Sequence, residues 1–369
     1  MTDHLKQFFD GPPLVLEERR SQKLAPSGLS AAAPSLPAQA GTARRAVASG
    51  IGTYSAVHEV TSVGAKFPVA IIGVGNMGGG MARNLLSKGW PVNVYDVDAE
   101  KTQKLVPFGA VALVSSAQAA INSVVTIVCV VDSAQTQKVL FGANDQASGD
   151  VLGNLKGVAQ AMQLGRVVML CPTLAPQDVE RFAKDLIPFG LHTIDAPMSG
   201  GPARAADGSM SLMVACEPMV FERHRALIDA LSSNVFRVSD RVGDGARTKL
   251  VNNLLAGINL VGAAEVLVMA QKMGLDVAKT LDVIEQSSGQ SWVGSDRMRR
   301  AIAGDYAPRA HMTLLEKDTR LAVAAAQSAG FEGPLGAVAR DVFAQASSGG
   351  LAELDDAALY QWLAHSSST

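Results

Sequence analysis

The chain has 369 residues, 48% of them hydrophobic and 18% charged, and carries a formal net charge of −2 at pH 7. That length exceeds one compact core and predicts two domains. The balanced charge excludes the basic face that nucleic-acid binding requires.

Residues 1–65 differ in composition from the rest of the chain. The stretch LAPSGLSAAAPSLPAQAGTARRAVASG is rich in Ala, Ser, Pro and Gly and has no apolar periodicity. It cannot bury enough surface to offset its ordering entropy, so a disordered extension is expected. No apolar core follows Met1, which excludes a secretory signal. From Arg19 to His58 there is no acidic residue, as in a transit peptide, yet Asp3, Asp10, Glu17 and Glu18 precede that stretch. The extension reads as an inert tail, a start placed too early or, against those acids, a mitochondrial address.

From Phe67 onward, apolar runs alternate with helical segments. FPVAIIG is a buried strand ending in glycine, and GNMGGGMARNLLSKG a helix closed by Gly89. WPVNVYDVD and VVTIVCVVD are further strands, AQTQKVLFG a helix, and RVVMLCPT and HTIDAPMSG two more strand-like runs. The alternation predicts an α/β domain of the Rossmann type over residues 66–242, with a doubly wound, mostly parallel sheet covered on both faces. After Val242 only helical signals remain. A long apolar helix from Gly245 to Met273 is followed by VAKTLDVIEQS, MTLLEKDTRLAVAAAQSAG and LGAVARDVFAQA. These predict an all-α domain over residues 243–369, joined to the first by the long helix. The run from Leu254 to Ala270 is interrupted by Asn259 and Glu265 and is shorter than the roughly 20 residues of a membrane span. It is expected to be buried by protein on all sides. Cys129, Cys171 and Cys216 have neither disulfide-framework nor metal-site spacing and read as core packing in a reducing compartment, the cytoplasm.

Four motifs carry chemistry. Gly73, Gly75 and Gly78 have GxGxxG spacing between a strand and a helix. Gly73 permits the tight turn, Gly75 lets a pyrophosphate approach the backbone, and Gly78 packs helix on strand. Together with Val74, Asn76 and Met77 they predict a dinucleotide site at a helix N-terminus. Asp96 ends the next strand, near the offset of about 20 residues expected for an acid that bonds the ribose hydroxyls and repels a 2′-phosphate. That favours NAD over NADP. In DAPMSGG, the Ser199 hydroxyl beside the N–H groups of Gly200 and Gly201 forms a nest for a carboxylate, or else only a glycine turn. In GDGARTKLVNN, Lys249 and Asn253 share a helix face, with Asn252 about 100° away. By itself Lys249 reads first as a snorkelling surface lysine. Lys317 and Asp318 are adjacent, do not share a helix face, and by themselves read as solvated surface.

In order, GxGxxG with MARNLL, DAPMSGG, GxGxxxKxxNN and KD make the chain resemble the β-hydroxyacid dehydrogenase family from about Phe67 to Trp362. The segments VVDSAQTQKVLFG, NNLLAGINLVGAAE, SSGQSWVGSDR and AGDYAP are similar to its L-threonate dehydrogenase branch. The resemblance implies NAD-dependent oxidation of a small hydroxy acid. It gives Lys249 the role of general acid/base, and makes Asn253 its neighbour and a substrate ligand. Ser199, Gly200 and Gly201 become the carboxylate site. Thr173 lies near the nicotinamide, Val130 and Val131 line the cofactor, and Lys317 reaches both cofactor and active site. No metal or membrane is expected, and a homodimer or homotetramer is. Departures from the family pattern are Pro172 before Thr173, Val130-Val131 in place of Leu-Pro, and Gln290 in place of Asn. The second argues against 3-hydroxyisobutyrate; the third leaves the acid open. Open alternatives are a 3-hydroxyisobutyrate dehydrogenase, a tartronate or succinic semialdehyde reductase, and a non-catalytic NAD-binding module. The presence of Lys249, Asn253 and Ser199 argues against the last. Lys249 also argues against the related imine reductases, which usually replace it.

Overall fold

The structure, a computed structural model, describes residues 66–142 and 156–366; the expected disordered extension over residues 1–65 lies outside them. All described residues belong to one compact unit.

Nine strands form one sheet: β1 (Val69–Ile72), β2 (Val92–Tyr95), β3 (Val111–Ala112), β4 (Val125–Val128), β5 (Val167–Leu170), β6 (His192–Asp195), β7 (Met198–Ser199), β8 (Ser211–Ala215) and β9 (Asn234–Ser239). Their order is β3-β2-β1-β4-β5-β6-β8-β7, with β9 also on β8. The pairings from β3 to β6 are parallel. The helices α1 (Asn76–Ser87), α2 (Ala99–Gln103), α3 (Ser116–Ala120), α4 (Ser133–Phe141), α5 (Val158–Ala161), α6 (Pro176–Leu186), α7 (Gly201–Asp207) and α8 (Pro218–Leu231) accompany the strands. Every residue of β1, β4 and β5 is buried, which is why these strands read as unbroken apolar runs instead of alternating ones. Val69 and Ile71 enter the core on one side of the sheet, Ala70 and Ile72 the core on the other, as the two-residue period of a strand dictates. Strand order reverses between β1 and β4, and the crevice beyond their C-terminal ends is where such sheets bind ligands.

The sheet is not parallel throughout. β6–β8 and β7–β8 are antiparallel, and β8–β9 is parallel with an irregularity at Val214/Ala215. The sequence signals missed β3, β8 and β9. β3 is two residues long, β8 is a five-residue apolar run with no alternation, and β9 is half-exposed along its length; periodicity alone does not separate such runs from helix or loop.

Helix α9 (Asp244–Lys272) leads into α10 (Val277–Glu285), α11 (Trp292–Ile302), α12 (Met312–Ser328), α13 (Pro334–Ala346) and α14 (Leu359–Ser366). Leu260, Ala264, Leu267, Met298 and Phe343 centre their core. Gly257 lets α12 lie close on α9, since a Cβ there would stand 2.8 Å from Thr319 Cγ2. Within one chain α9 is not buried on all sides. Val251 is 72% exposed and Met269 55%, with Leu255, Val266 and Met273 also exposed. These residues fall three or four apart or in multiples of that spacing, so they form one stripe. Between Asn253 and Ala270 the other faces of the helix are buried or half-buried, and this stripe, with Gly262 and Glu265, is left bare.

Of the three free cysteines, Cys171 and Cys216 are buried, whereas Cys129 is half-buried beneath the glycine turn. Burial pushes the Cys129 and Cys216 thiols up to about 12, which keeps them protonated and inert.

Candidate active site

The turn after β1 has the form the glycine spacing predicts. Gly73 is left-handed at φ +88, a conformation glycine adopts without penalty. A Cβ on Gly78 would lie 1.9 Å from the Gly73 carbonyl oxygen, so only glycine lets α1 start this close to β1. Gly75 faces open space, with nothing within 4 Å of where its Cβ would be. No side chain caps the first N–H groups of α1. An open cradle in front of uncapped N–H groups fits a pyrophosphate. Asp96, just beyond β2, accepts from Val74 N at 2.8 Å and from Asp98 N at 3.0 Å. A carboxylate retains acceptor capacity beyond these two bonds, which ribose hydroxyls can use. Asn76, the first residue of α1, donates to the Arg309 carbonyl at 3.2 Å and ties the turn to the helical half. Met77 is half-buried and packs against the sheet core. Val130 packs against Gly73.

Helix α9 carries the lysine, and its first turn is anchored from the sheet. Gly243 begins it at φ +99 without a side-chain cap of its own. The cap comes from Asp195 at the end of β6, whose Oδ2 accepts from Gly243 N at 2.9 Å and Ala246 N at 3.0 Å. Gly245 is required by this approach, because a Cβ there would stand 2.9 Å from both the Asp195 carboxylate and the Met213 carbonyl oxygen. Burial pushes Asp195 up to about 7, against the pull of the N–H groups of Ala246, Gly243 and Gly245. Lys249 lies one turn past Gly245, so Asp195 sets its position along the helix axis. The sequence reading assigned Asp195 no role.

Lys249 and Asn253 are both buried, at 7% and 8% exposure. The surface reading of Lys249 is thereby excluded. Burial lowers Lys249 to about 8; Asp318 opposes this and Lys317 adds to it. Asn253 Nδ2 donates to Asp318 Oδ2 at 2.5 Å, and exposed Asn252 donates to Asn253 Oδ1 at 3.0 Å. The solvated reading of Lys317-Asp318 is also corrected. Lys317 Nζ donates to the Thr173 carbonyl at 2.7 Å and the Val131 carbonyl at 3.1 Å, and pairs with Asp318 Oδ1 at 3.1 Å. Adjacent residues on α12 thus face one cleft because α12 lies between α9 and the C-terminal ends of β4 and β5. Asp318 is a second residue whose role the sequence reading missed; only the KD dipeptide pointed toward it.

The Ser199–Gly201 turn follows β7. Gly200 and Gly201 both have positive φ, at +130 and +78, a turn that glycine forms without strain. β7 pairs with β8, and Met213 of β8 abuts Gly245. One strand therefore supports both the turn and the lysine's helix. Three groups result: the glycine turn with Asp96; Lys249, Asn253 and Asp318 with Lys317, Val131 and Thr173; and the Ser199–Gly201 turn. Among the described residues no group of His, Cys, Asp and Glu side chains has metal-binding geometry.

Residues 68–239 match the NAD-binding domain of 6-phosphogluconate dehydrogenase, and residues 243–363 match the NAD-binding domain of NADP-dependent 3-hydroxyisobutyrate dehydrogenase. The chain is 34% identical to an L-threonate dehydrogenase of Cupriavidus necator over 79% of its own length and 94% of the relative's. It is 35% identical to a 3-hydroxyisobutyrate dehydrogenase of Pseudomonas aeruginosa over 74% and 90%. The crystal structure of a 3-hydroxyisobutyrate dehydrogenase from Salmonella typhimurium superposes with a TM-score of 0.73 at 33% identity, covering 80% of this chain and all of that one. With a nucleotide-binding turn, a buried lysine and these relatives, the chain belongs to the β-hydroxyacid dehydrogenase family of NAD(P)-dependent oxidoreductases.

Proposed function

We propose that this enzyme oxidises L-threonate or a related four-carbon sugar acid with NAD⁺, reversibly, and that Lys249 is its general acid/base. The observation that carries the reading is the buried Lys249 beside Asn253 and Asp318, at about 8 instead of the ordinary lysine value. A nicotinamide bound at the glycine turn would supply the hydride chemistry at the carbon that bears the hydroxyl. As a free amine, Lys249 Nζ takes the hydroxyl proton; as an ammonium it returns a proton to the carbonyl oxygen in the reverse direction. Asn253 orients the lysine or the substrate oxygen without adding charge. Ser199, Gly200 and Gly201 hold the substrate carboxylate. Gly73 to Gly78, Asp96, Val130, Val131 and Thr173 hold the dinucleotide, and Lys317 braces the helical half against β4 and β5. The threonate relatives and Val130-Val131 support a sugar acid over 3-hydroxyisobutyrate.

A panel assay tests the substrate. Purified enzyme is given NAD⁺ or NADP⁺ with L-threonate, D-erythronate, D-glycerate and 3-hydroxyisobutyrate, and reduced nicotinamide is followed by absorbance. The highest kcat/KM is expected with a four-carbon sugar acid and NAD⁺. Preference for 3-hydroxyisobutyrate would sink the substrate reading, and preference for NADP⁺ the role of Asp96.

The bare stripe on α9 supports a homo-oligomer. Gly262 lies on it with open space in front of its Cβ position, which allows a second helix to come close. Light scattering is expected to show a dimer or larger assembly, and Val266→Glu to shift it toward monomer. A monomeric wild-type protein would exclude this arrangement.

A further inference from the structure

Arg204, an exposed residue of α7, links the Ser199–Gly201 turn to the helical half. Its backbone is held by α7, which packs on the cofactor helix α1: a Cβ on Gly80 would meet Ala205 Cβ at 2.9 Å. Its stem crosses the candidate carboxylate turn, since a Cβ on Gly200 would stand 2.9 Å from Arg204 Cδ and 3.2 Å from Arg204 Cβ. Its guanidinium carbon lies 5.2 Å from the ring centroid of Trp292, the first residue of α11 in the helical half. Trp292 is held at that helix start by its neighbour Ser291, which caps Gly294 N at 3.1 Å. A guanidinium over an aromatic face keeps its N–H donors at its edge, available to a ligand. None of the ion pairs among the described residues uses Arg204; Asp207, which feels its charge, accepts from the N–H and hydroxyl of Ser209 through Oδ1 alone. The result is an exposed guanidinium beside the Ser199–Gly201 turn and against Trp292, without an ion-pair partner among the described residues.

We propose that Arg204 is a specificity-determining residue that binds oxygen atoms at the end of the hydroxy acid remote from its carboxylate, with Trp292 holding it in place. The Ser199–Gly201 turn supplies donors for the carboxylate, and the guanidinium, beside that turn and against Trp292, supplies donors for the remaining oxygen atoms. An acid with hydroxyls or a second carboxylate besides its carboxylate and the hydroxyl that is oxidised gains these bonds; 3-hydroxyisobutyrate, whose only other substituent is a methyl branch, does not. The inference rests on the proposed placement of the carboxylate in the turn.

The test compares L-threonate with 3-hydroxyisobutyrate in the full-length enzyme. Arg204→Met is expected to lower the ratio of their kcat/KM values by about tenfold or more, as loss of a charged hydrogen bond implies. Arg204→Lys should recover part of the ratio, because it keeps the charge but loses the planar fork. Trp292→Leu should lower the ratio in the same direction. KM for NAD⁺ and the melting temperature show whether the fold or the cofactor site is disturbed instead. Threonate oxidation with an unchanged ratio in Arg204→Met overturns the inference alone, and so does an equal loss on both acids. A wild-type enzyme that oxidises neither acid, or prefers 3-hydroxyisobutyrate, overturns the substrate reading and the inference with it.

Discussion

Lys249→Ala is expected to reduce NADH formation by about 10²–10⁴-fold, the range for loss of a positioned acid/base. KM for NAD⁺ should stay near the wild-type value, because the lysine lies in the cluster with Asn253 and Asp318 and not in the glycine turn. The pH profile gives a second, independent reading. Only the free amine accepts the hydroxyl proton, and its fraction rises with pH through about 8. Oxidation should therefore rise with pH through that region and level above it, while reduction, which needs the ammonium, should fall over the same range. Asp318 holds the lysine's value up and Lys317 holds it down. Asp318→Asn should move the midpoint to lower pH, and Lys317→Met to higher pH. NADH formation that survives Lys249→Ala, or midpoints that do not move, would remove the lysine from the mechanism.

The second large effect contrasts two glycines three residues apart. In Gly78→Ala the new Cβ would sit 1.9 Å from the Gly73 carbonyl oxygen. Both atoms belong to the strand–turn–helix main chain, so relief requires α1 to move off β1. Overpacking of this kind costs about 1–3 kcal/mol where side chains can yield and more where backbone must move. A melting temperature lower by several degrees, or loss of soluble protein, is expected. Gly75→Ala meets nothing within 4 Å, and its φ of −65 is open to alanine. Its methyl group projects into the cradle. Melting should be unchanged while KM for NAD⁺ rises about tenfold, as loss of close phosphate contact implies. If Gly75→Ala leaves NAD⁺ binding intact, the cradle is not the cofactor site.

Much of the nucleotide half was legible in order along the chain. The unbroken apolar runs of β1, β4 and β5, the glycine spacing and Asp96 are local signals. A strand buried on both faces must be apolar throughout, and a left-handed turn with helix packed against it selects glycine. Position along α9 placed Lys249 and Asn253 on one face. Their burial was not legible, because the polar face they share is covered by α12 from 65 residues away. The same holds for Asp195, which caps α9 across separations of 48 and 51 residues, and for Lys317, which reaches Thr173 across 144. In α9, hydrophobicity on every side was legible, but the stripe that the chain leaves bare was not. By itself the sequence determined most element types, though not β3, β8 and β9, together with the glycine turn and the candidate residues, because periodicity, glycine conformation and helix spacing act within a few residues. Only the tertiary structure decided which polar groups are buried together and which apolar face stays exposed, because desolvation and charge pairing depend on what distant segments pack against each side chain.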